Sequence, residues 1–237
     1  MQCWGLNTSG QLGDGTTIKR LTPVAVAGVS GAVNVATGLA HTCALLAVGT
    51  VQCWGLNGDG ELGNGTTVGS FTYVNVSGLT GVVSVTAGQY HTCALTSVGG
   101  AKCWGSFAYG QLGNGTLGGS GPKVSVPTDV IGLTSGVMML TASSGGGSTC
   151  AILSTSTAQC WGYNSASQLG TGDHVNHAVP TAVSVLTGTL ATMTIGGTDA
   201  CAKMAAGGVQ CWGNNNVGQQ GAGNTVTYSF PQSVVGF

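Results

Sequence analysis

Residues 41–55 read HTCALLAVGTVQCWG, and residues 91–105 repeat them as HTCALTSVGGAKCWG. Two short apolar and β-branched runs flank a glycine-containing turn, the sequence form of an antiparallel hairpin. A turn near Val48-Gly49 sets Cys43 opposite Cys53 and Leu45 opposite Val51. Directly opposed residues have Cα atoms about 4.5 to 5.5 Å apart, within the range a disulfide accepts. The same spacing joins Cys93 to Cys103, Cys150 to Cys160 and Cys201 to Cys211. Four cross-strand disulfides are predicted, one per hairpin. Metal binding is the weaker reading, since no Cys-x-x-Cys occurs and two opposed ligands do not close a tetrahedral site. Disulfides imply an oxidising location, secreted or at the cell surface.

Outward from the hairpin, the whole chain repeats. Cys-Trp-Gly recurs with its tryptophan at Trp4, Trp54, Trp104, Trp161 and Trp212, so repeats start near Cys3, Cys53, Cys103, Cys160 and Cys211. A box follows each tryptophan: Gly10-Gln11-Leu12-Gly13, Gly60-Glu61-Leu62-Gly63, Gly110-Gln111-Leu112-Gly113, Ser167-Gln168-Leu169-Gly170 and Gly218-Gln219-Gln220-Gly221. An apolar run then ends at Gly28, Gly78, Gly132, Gly188 and Gly236. Within one unit, Val82 to Ala87, Thr92 to Thr96, Ala101 to Trp104 and Tyr73 to Val76 carry strand signals. Frequent glycine penalises any helix by about 1 kcal/mol per occurrence. The expected fold is all-β: tandem four-stranded blades of a β-propeller, four full blades plus a half-blade, in a single repeat domain over residues 1–237. The longer third unit places its excess in Leu117–Gly121 and Ser143–Ser148, which read as flexible loops.

Cys3 aligns with the second cysteine of each pair, and its expected partner precedes residue 1. Three readings stand open: the chain is a segment of a longer propeller, Cys3 pairs with another chain, or it is a free thiol.

The chain carries 44 glycines but only five basic and six acidic residues. Its surface must be polar without charge, which eases self-association. No basic patch is present to neutralise a phosphate backbone, so nucleic acid is not an expected partner. No apolar run is long enough to span a membrane.

The box with its following Pro23-Val24, the Gly-x-x-His-Thr-x-Ala-Leu stretches at 38–45 and 88–95, and the Trp-Gly strand together resemble the regulator of chromosome condensation repeat family. The resemblance implies a usually seven-bladed ring, about 350 residues at this period, and so implies that blades are missing here. The founding member is a nuclear exchange factor for a small GTPase that also binds chromatin; the cysteines and low charge of this chain argue against that role. Secreted bacterial relatives, one of which inhibits β-lactamases through its loop face, are the better analogy.

Several tempting sites have plainer readings. The box lacks the Lys-Ser/Thr of a phosphate loop and recurs five times, so it reads as a structural turn. His41 and His91 share a repeat position that Ser148 and Asp199 also occupy, which favours hydrogen bonding within the blade over catalysis. His174-x-x-His177 with Asp173 is a weak metal candidate. The tryptophans are expected to cover the disulfides or the seams between blades. Four sequons, at Asn7, Asn64, Asn75 and Asn114, permit glycosylation, although Asn-Gly-Thr is also a turn sequence. No catalytic residue, metal or cofactor is assigned. Phe107, Tyr109 and Tyr163 are the candidate binding residues, because they alone suggest an aromatic-rich rim. The leading expectation is an extracellular non-catalytic structural or surface-assembly protein, able to form an oligomer or filament. The alternative is a propeller that binds a protein or glycan through its loop face, and an enzyme is third.

Overall fold

The computed structural model describes residues 1–118 and 121–236, which contain eighteen strands and no helix. The leading half-blade pairs β1 (Gln2–Gly5) with β2 (Arg20–Ala25). Blade 1 is β3 (Ala32–Thr37), β4 (His41–Leu46), β5 (Val51–Gly55) and β6 (Ser70–Asn75). Blade 2 is β7 (Val82–Ala87), β8 (His91–Thr96), β9 (Ala101–Gly105) and β10 (Val124–Asp129). Blade 3 is β11 (Val137–Ala142), β12 (Ser148–Leu153), β13 (Ala158–Gly162) and β14 (His177–Ala182). Blade 4 is β15 (Leu190–Ile195), β16 (Asp199–Met204), β17 (Val209–Gly213) and β18 (Tyr228–Ser233). Each blade is an antiparallel meander in sequence order. The first strands β3, β7, β11 and β15 lie beside one another, and the fourth strands are the outer edges.

Three strands fall where the sequence sets them to within a residue or so, but the outer strand starts earlier than Tyr73. In blade 1, Cys53 pairs with Val74 while Gly55 pairs with Ser70, an irregularity that recurs in every unit. The extra outer-strand residues form a bulge, so pairing resumes upstream of the apolar run. Being at an edge, this strand also tolerates proline, which has no N–H for a ladder: Pro23, Pro127, Pro180 and Pro231 all lie in such strands.

All four predicted disulfides form, with Cα atoms 4.1 Å apart in each. In the hairpin register Cys43 faces Cys53 and Leu45 faces Val51, and the turn closes at Gly49, φ +78°. The staples are not confined to the interior of their blades. Cys43 and Cys53 share an apolar cluster with Trp104 of the next blade, and Cys150 and Cys160 share one with Trp212. Cys93 and Cys103 share a third with Trp161, so these three sulfur pairs are part of the seams. Closing so short a loop stabilises a blade by somewhat less than the roughly 3 kcal/mol that chain entropy assigns to a fifteen-residue loop.

Cys3 is the one free cysteine among the described residues and is half-buried. Intact mass after alkylation should therefore show one modified thiol before reduction and nine after it. Eight or nine adducts on the unreduced protein would contradict the stapled structure.

Candidate functional site

The seam between blades is built first from one carbonyl. Trp54 Nε1 donates to the Gln11 carbonyl of the preceding unit at 2.9 Å, and Thr42 Oγ1 donates to the same oxygen at 2.9 Å. Trp104 and Thr92 converge likewise on the Glu61 carbonyl, at 2.8 and 2.9 Å, and Trp161 and Thr149 on that of Gln111, at 2.9 and 3.0 Å. In blade 4 Ala200 has no hydroxyl, and Trp212 alone reaches Gln168, at 2.9 Å. The box is the turn that presents this carbonyl. Its last glycine has φ near +65°, and a Cβ there would stand 2.6 to 2.9 Å from the indole Nε1 at Gly13, Gly63, Gly113 and Gly170. Glycine is required twice over, for the backbone angle and for the approach of the ring.

His41 and His91 extend the seam. The Thr92 hydroxyl has a single proton, given to Glu61, so it accepts from His41 Nε2 at 3.0 Å. His91 reaches Thr149 in the same way at 2.8 Å. The expectation of bonding within the blade is corrected: both bonds cross to the next blade, because the rings project from the sheet face that the neighbour covers. Their Nδ1 atoms are buried without a partner. Burial pushes the pKa of His41 down to about 4 and that of His91 to about 3, the latter also through the charge on His41. Glu61, buried at the box glutamine position, is raised by burial, and its carboxylate accepts the Asp59 N–H at 2.9 Å.

A buried asparagine, missed in the sequence, pins the loop that carries each box. Asn57 Nδ2 donates to the Thr66 and Val68 carbonyls, both at 3.0 Å, and Oδ1 accepts the Leu62 N–H at 2.9 Å. Asn7 and Asn215 do the same in their units, while Asn164 Nδ2 donates to the Asp173 carbonyl and carboxylate and its Oδ1 accepts the Leu169 N–H. Its signal was legible: asparagine stands three residues after tryptophan in four of five units. The glycosylation reading of Asn7 is corrected accordingly, since its amide is fully buried and engaged. Asn64 and Asn114 cap local turns by accepting from the Thr66 and Thr116 N–H groups, and Asn75 is exposed.

Phe107 occupies the asparagine position of the third unit and is buried in the core, so it belongs to no exposed rim. Tyr109 and Tyr163 do come together, with ring centroids 4.8 Å apart at 53°. The Gln111 side chain holds the Tyr109 N–H at 2.8 Å, and the Tyr163 backbone is fixed to Gly147 and to the Ser148 hydroxyl. A Cβ at Gly147 would lie 2.8 Å from the Tyr109 ring, so the glycine makes room for it. The Ser143–Ser148 segment is therefore packed: Gly146 N–H donates to Ser143 and its carbonyl accepts from Gln89 of the preceding blade. The Leu117–Gly121 insertion includes Gly119 and Ser120, which lie outside the described residues. His177 and His174 bond Asp173 and Ser167 respectively, and no group of three metal-ligating side chains assembles among the described residues.

The model of the regulator of chromosome condensation (RCC1) repeat matches residues 3–45, 49–95 and 160–202, more than half of the chain. The chain belongs to the RCC1 repeat family. A second model of the same repeat matches residues 32–61 and 82–111. Among solved structures, human WBSCR16 is 24% identical with a TM-score of 0.83, over 98% of this chain and 61% of that one. Yeast RCC1 (Prp20), solved bound to Kap60, is 20% identical with a TM-score of 0.79, over 94% of this chain and 53% of that one. Prp20p from Saccharomyces cerevisiae, described with its binding to Gsp1p and histones, is 19% identical with a TM-score of 0.79, over 94% and 55%. The chain thus spans between half and two thirds of the length of these three structures, and the likeness establishes the propeller-blade fold.

Two outcomes follow from the seam. Trp104→Ala, which removes a fully buried indole and its bond, should cost about 3 to 5 kcal/mol in denaturant unfolding. Trp4→Ala, at 63% exposure, should cost under about 0.5 kcal/mol. The histidines make stability pH-dependent. Unfolded, both titrate near 6.5, whereas folded they stay neutral to about pH 4 and about pH 3. Below pH 6.5 the unfolded chain takes up protons that the native seams exclude, so the contribution present above 6.5 is lost as pH falls towards 4 and below. The His41→Ser/His91→Ser variant, with the residue found at Ser148, should show a flatter loss of stability between pH 6.5 and 4 than the parent. Equal slopes in urea titrations would contradict the buried neutral rings.

Proposed function

We propose that the protein is an extracellular, non-catalytic binding propeller whose loop rim holds a protein or glycan partner. The Tyr109–Tyr163 pair carries this reading: two rings meet at the edge of a seam, on backbone fixed by box and glycine contacts. Aromatic groups on a rigid support supply contact area at low entropic cost. The scarcity of charge favours a neutral ligand surface over a phosphate or nucleic-acid one. Four disulfides are compatible with an oxidising compartment. The two buried histidines, His41 and His91, whose pKa values burial lowers furthest, are engaged in the seams, which supports a role without catalysis. Yeast RCC1 (Prp20), which shares this fold, is described bound to the protein Kap60.

A second reading, surface assembly, rests on the outer edges. Leu21, Phe71, Val126, Val179 and Phe230 are exposed apolar residues, one on each outer strand. Exposed apolar edge strands favour edge-to-edge association.

On an array of neutral oligosaccharides and secreted proteins, the parent should be retained, and Tyr109→Ala/Tyr163→Ala should weaken retention about tenfold or more with melting unchanged. Undiminished retention of the double variant would count against the rim. Extended filaments in negative-stain images, formed equally by both proteins, would favour assembly instead.

A further inference from the structure

Every disulfide closes within one blade, between cysteines 10 residues apart, so apart from the chain itself no disulfide among the described residues crosses a seam. The seam between blades 2 and 3 holds two side chains able to supply a covalent crossing. Tyr109 lies in the loop from β9 to β10, and Tyr163 in the loop from β13 to β14. Their ring centroids are 4.8 Å apart, at the short end of the range of about 4.5 to 7 Å found for aromatic pairs. A bond between ring carbons gives a twisted biaryl, so rings already tilted at 53° need little turning to reach it. Tyr109 is 44% exposed and Tyr163 is half-buried, so the pair is open to an oxidant.

Neither ring is demanded by the repeat. Tyr109 stands two residues before Gln111, whose carbonyl accepts the seam bond, and Tyr163 stands two residues after Trp161, which donates it at 2.9 Å. At the other three seams these two positions hold Ser9 with Leu56, Asp59 with Ser106, and Ala166 with Asn214. The tyrosines therefore depart from the repeat together, at one seam. The bond common to all the seams fixes the distance between them, and the Tyr109 N–H and Tyr163 carbonyl are held by Gln111 and Ser148.

We propose that Tyr109 and Tyr163 are a modification site, an oxidative coupling pair that a haem peroxidase with hydrogen peroxide closes into a dityrosine bridge between blades 2 and 3. Each phenol gives up one hydrogen atom to the oxidised peroxidase. The two phenoxyl radicals join through the ring carbons beside their oxygens, and the hydrogens on those carbons move to the phenolic oxygens. Two hydrogen atoms leave in all, and one peroxide is reduced to two waters. Positioning of the two reactants by the seam replaces a chance encounter. The new carbon–carbon bond closes the chain over residues 109–163, a longer loop than any disulfide closes here, so it restricts the unfolded chain more than they do.

The test treats the chain of residues 1–237, at micromolar concentration, with a haem peroxidase and hydrogen peroxide. Coupling within one molecule should exceed coupling between chains about tenfold or more, through the raised effective concentration of the paired rings. Dityrosine fluorescence should then run with the monomer on a reducing gel. Trypsin cuts after Lys102, Lys123 and Lys203, so the reduced digest should contain residues 103–123 joined to residues 124–203. Tyr109→Phe and Tyr163→Phe keep two packed rings but remove one phenol, and each should abolish the monomer fluorescence, whereas Tyr90→Phe should retain it. Monomer fluorescence that persists in Tyr109→Phe, or dityrosine confined to covalent dimers, would overturn the proposal. The coupling is measured on the chain alone, so its failure is distinct from failure of the rim to hold a partner.

Discussion

A tryptophan indole of one blade donates to a turn carbonyl of the blade before it, and the rest of the molecule is arranged around that contact. A four-stranded sheet has two apolar faces and cannot bury them alone, so each blade is stable only against its neighbours. The indole does two jobs at once. It fills the space between sheets, where truncation of so large a side chain costs several kcal/mol, and it fixes register through a hydrogen bond worth about 1 kcal/mol net. The carbonyl has to be held out for it. Hence a turn with glycine at positive φ, and hence a buried asparagine that ties the returning loop beneath that turn.

With so few charged residues, the chain draws its specificity from neutral polar groups taken out of water. Threonine hydroxyls, histidine rings, asparagine amides and indole N–H groups bond across or beside seams, where an unmade bond costs more than a made one gains. Such contacts are directional, so they select one blade spacing among the many that apolar burial alone would allow. The disulfides work on a different scale. They restrict each hairpin in the unfolded chain, but their sulfur atoms also fill the seam against the next tryptophan.

The third unit shows what happens when the repeat is altered. Phe107 replaces the asparagine and fills its place with apolar volume, in the unit that also carries the loop excess. Gly147 stands where the other blades have Ala40, Tyr90 and Thr198, and the room it leaves is taken by Tyr109, which meets Tyr163. Variation of a surface on a repeated frame thus comes from a few coupled substitutions, while the seam carbonyl and its tryptophan remain in place.

The sequence by itself determined the all-β repeat, the number of complete units, the hairpin register and the four cysteine pairs. These are local: a turn of given length sets which residues face each other, and a period of about fifty residues repeats the result. The tertiary structure decided what lies across the seams. His41 and His91 reach the following blade, Asn7 is an internal peg although it stands in a sequon, Phe107 is core, and the outer strands start early through a bulge. None of these follows from spacing along one blade, because each depends on which face a neighbouring sheet covers, and that is fixed only when the blades pack.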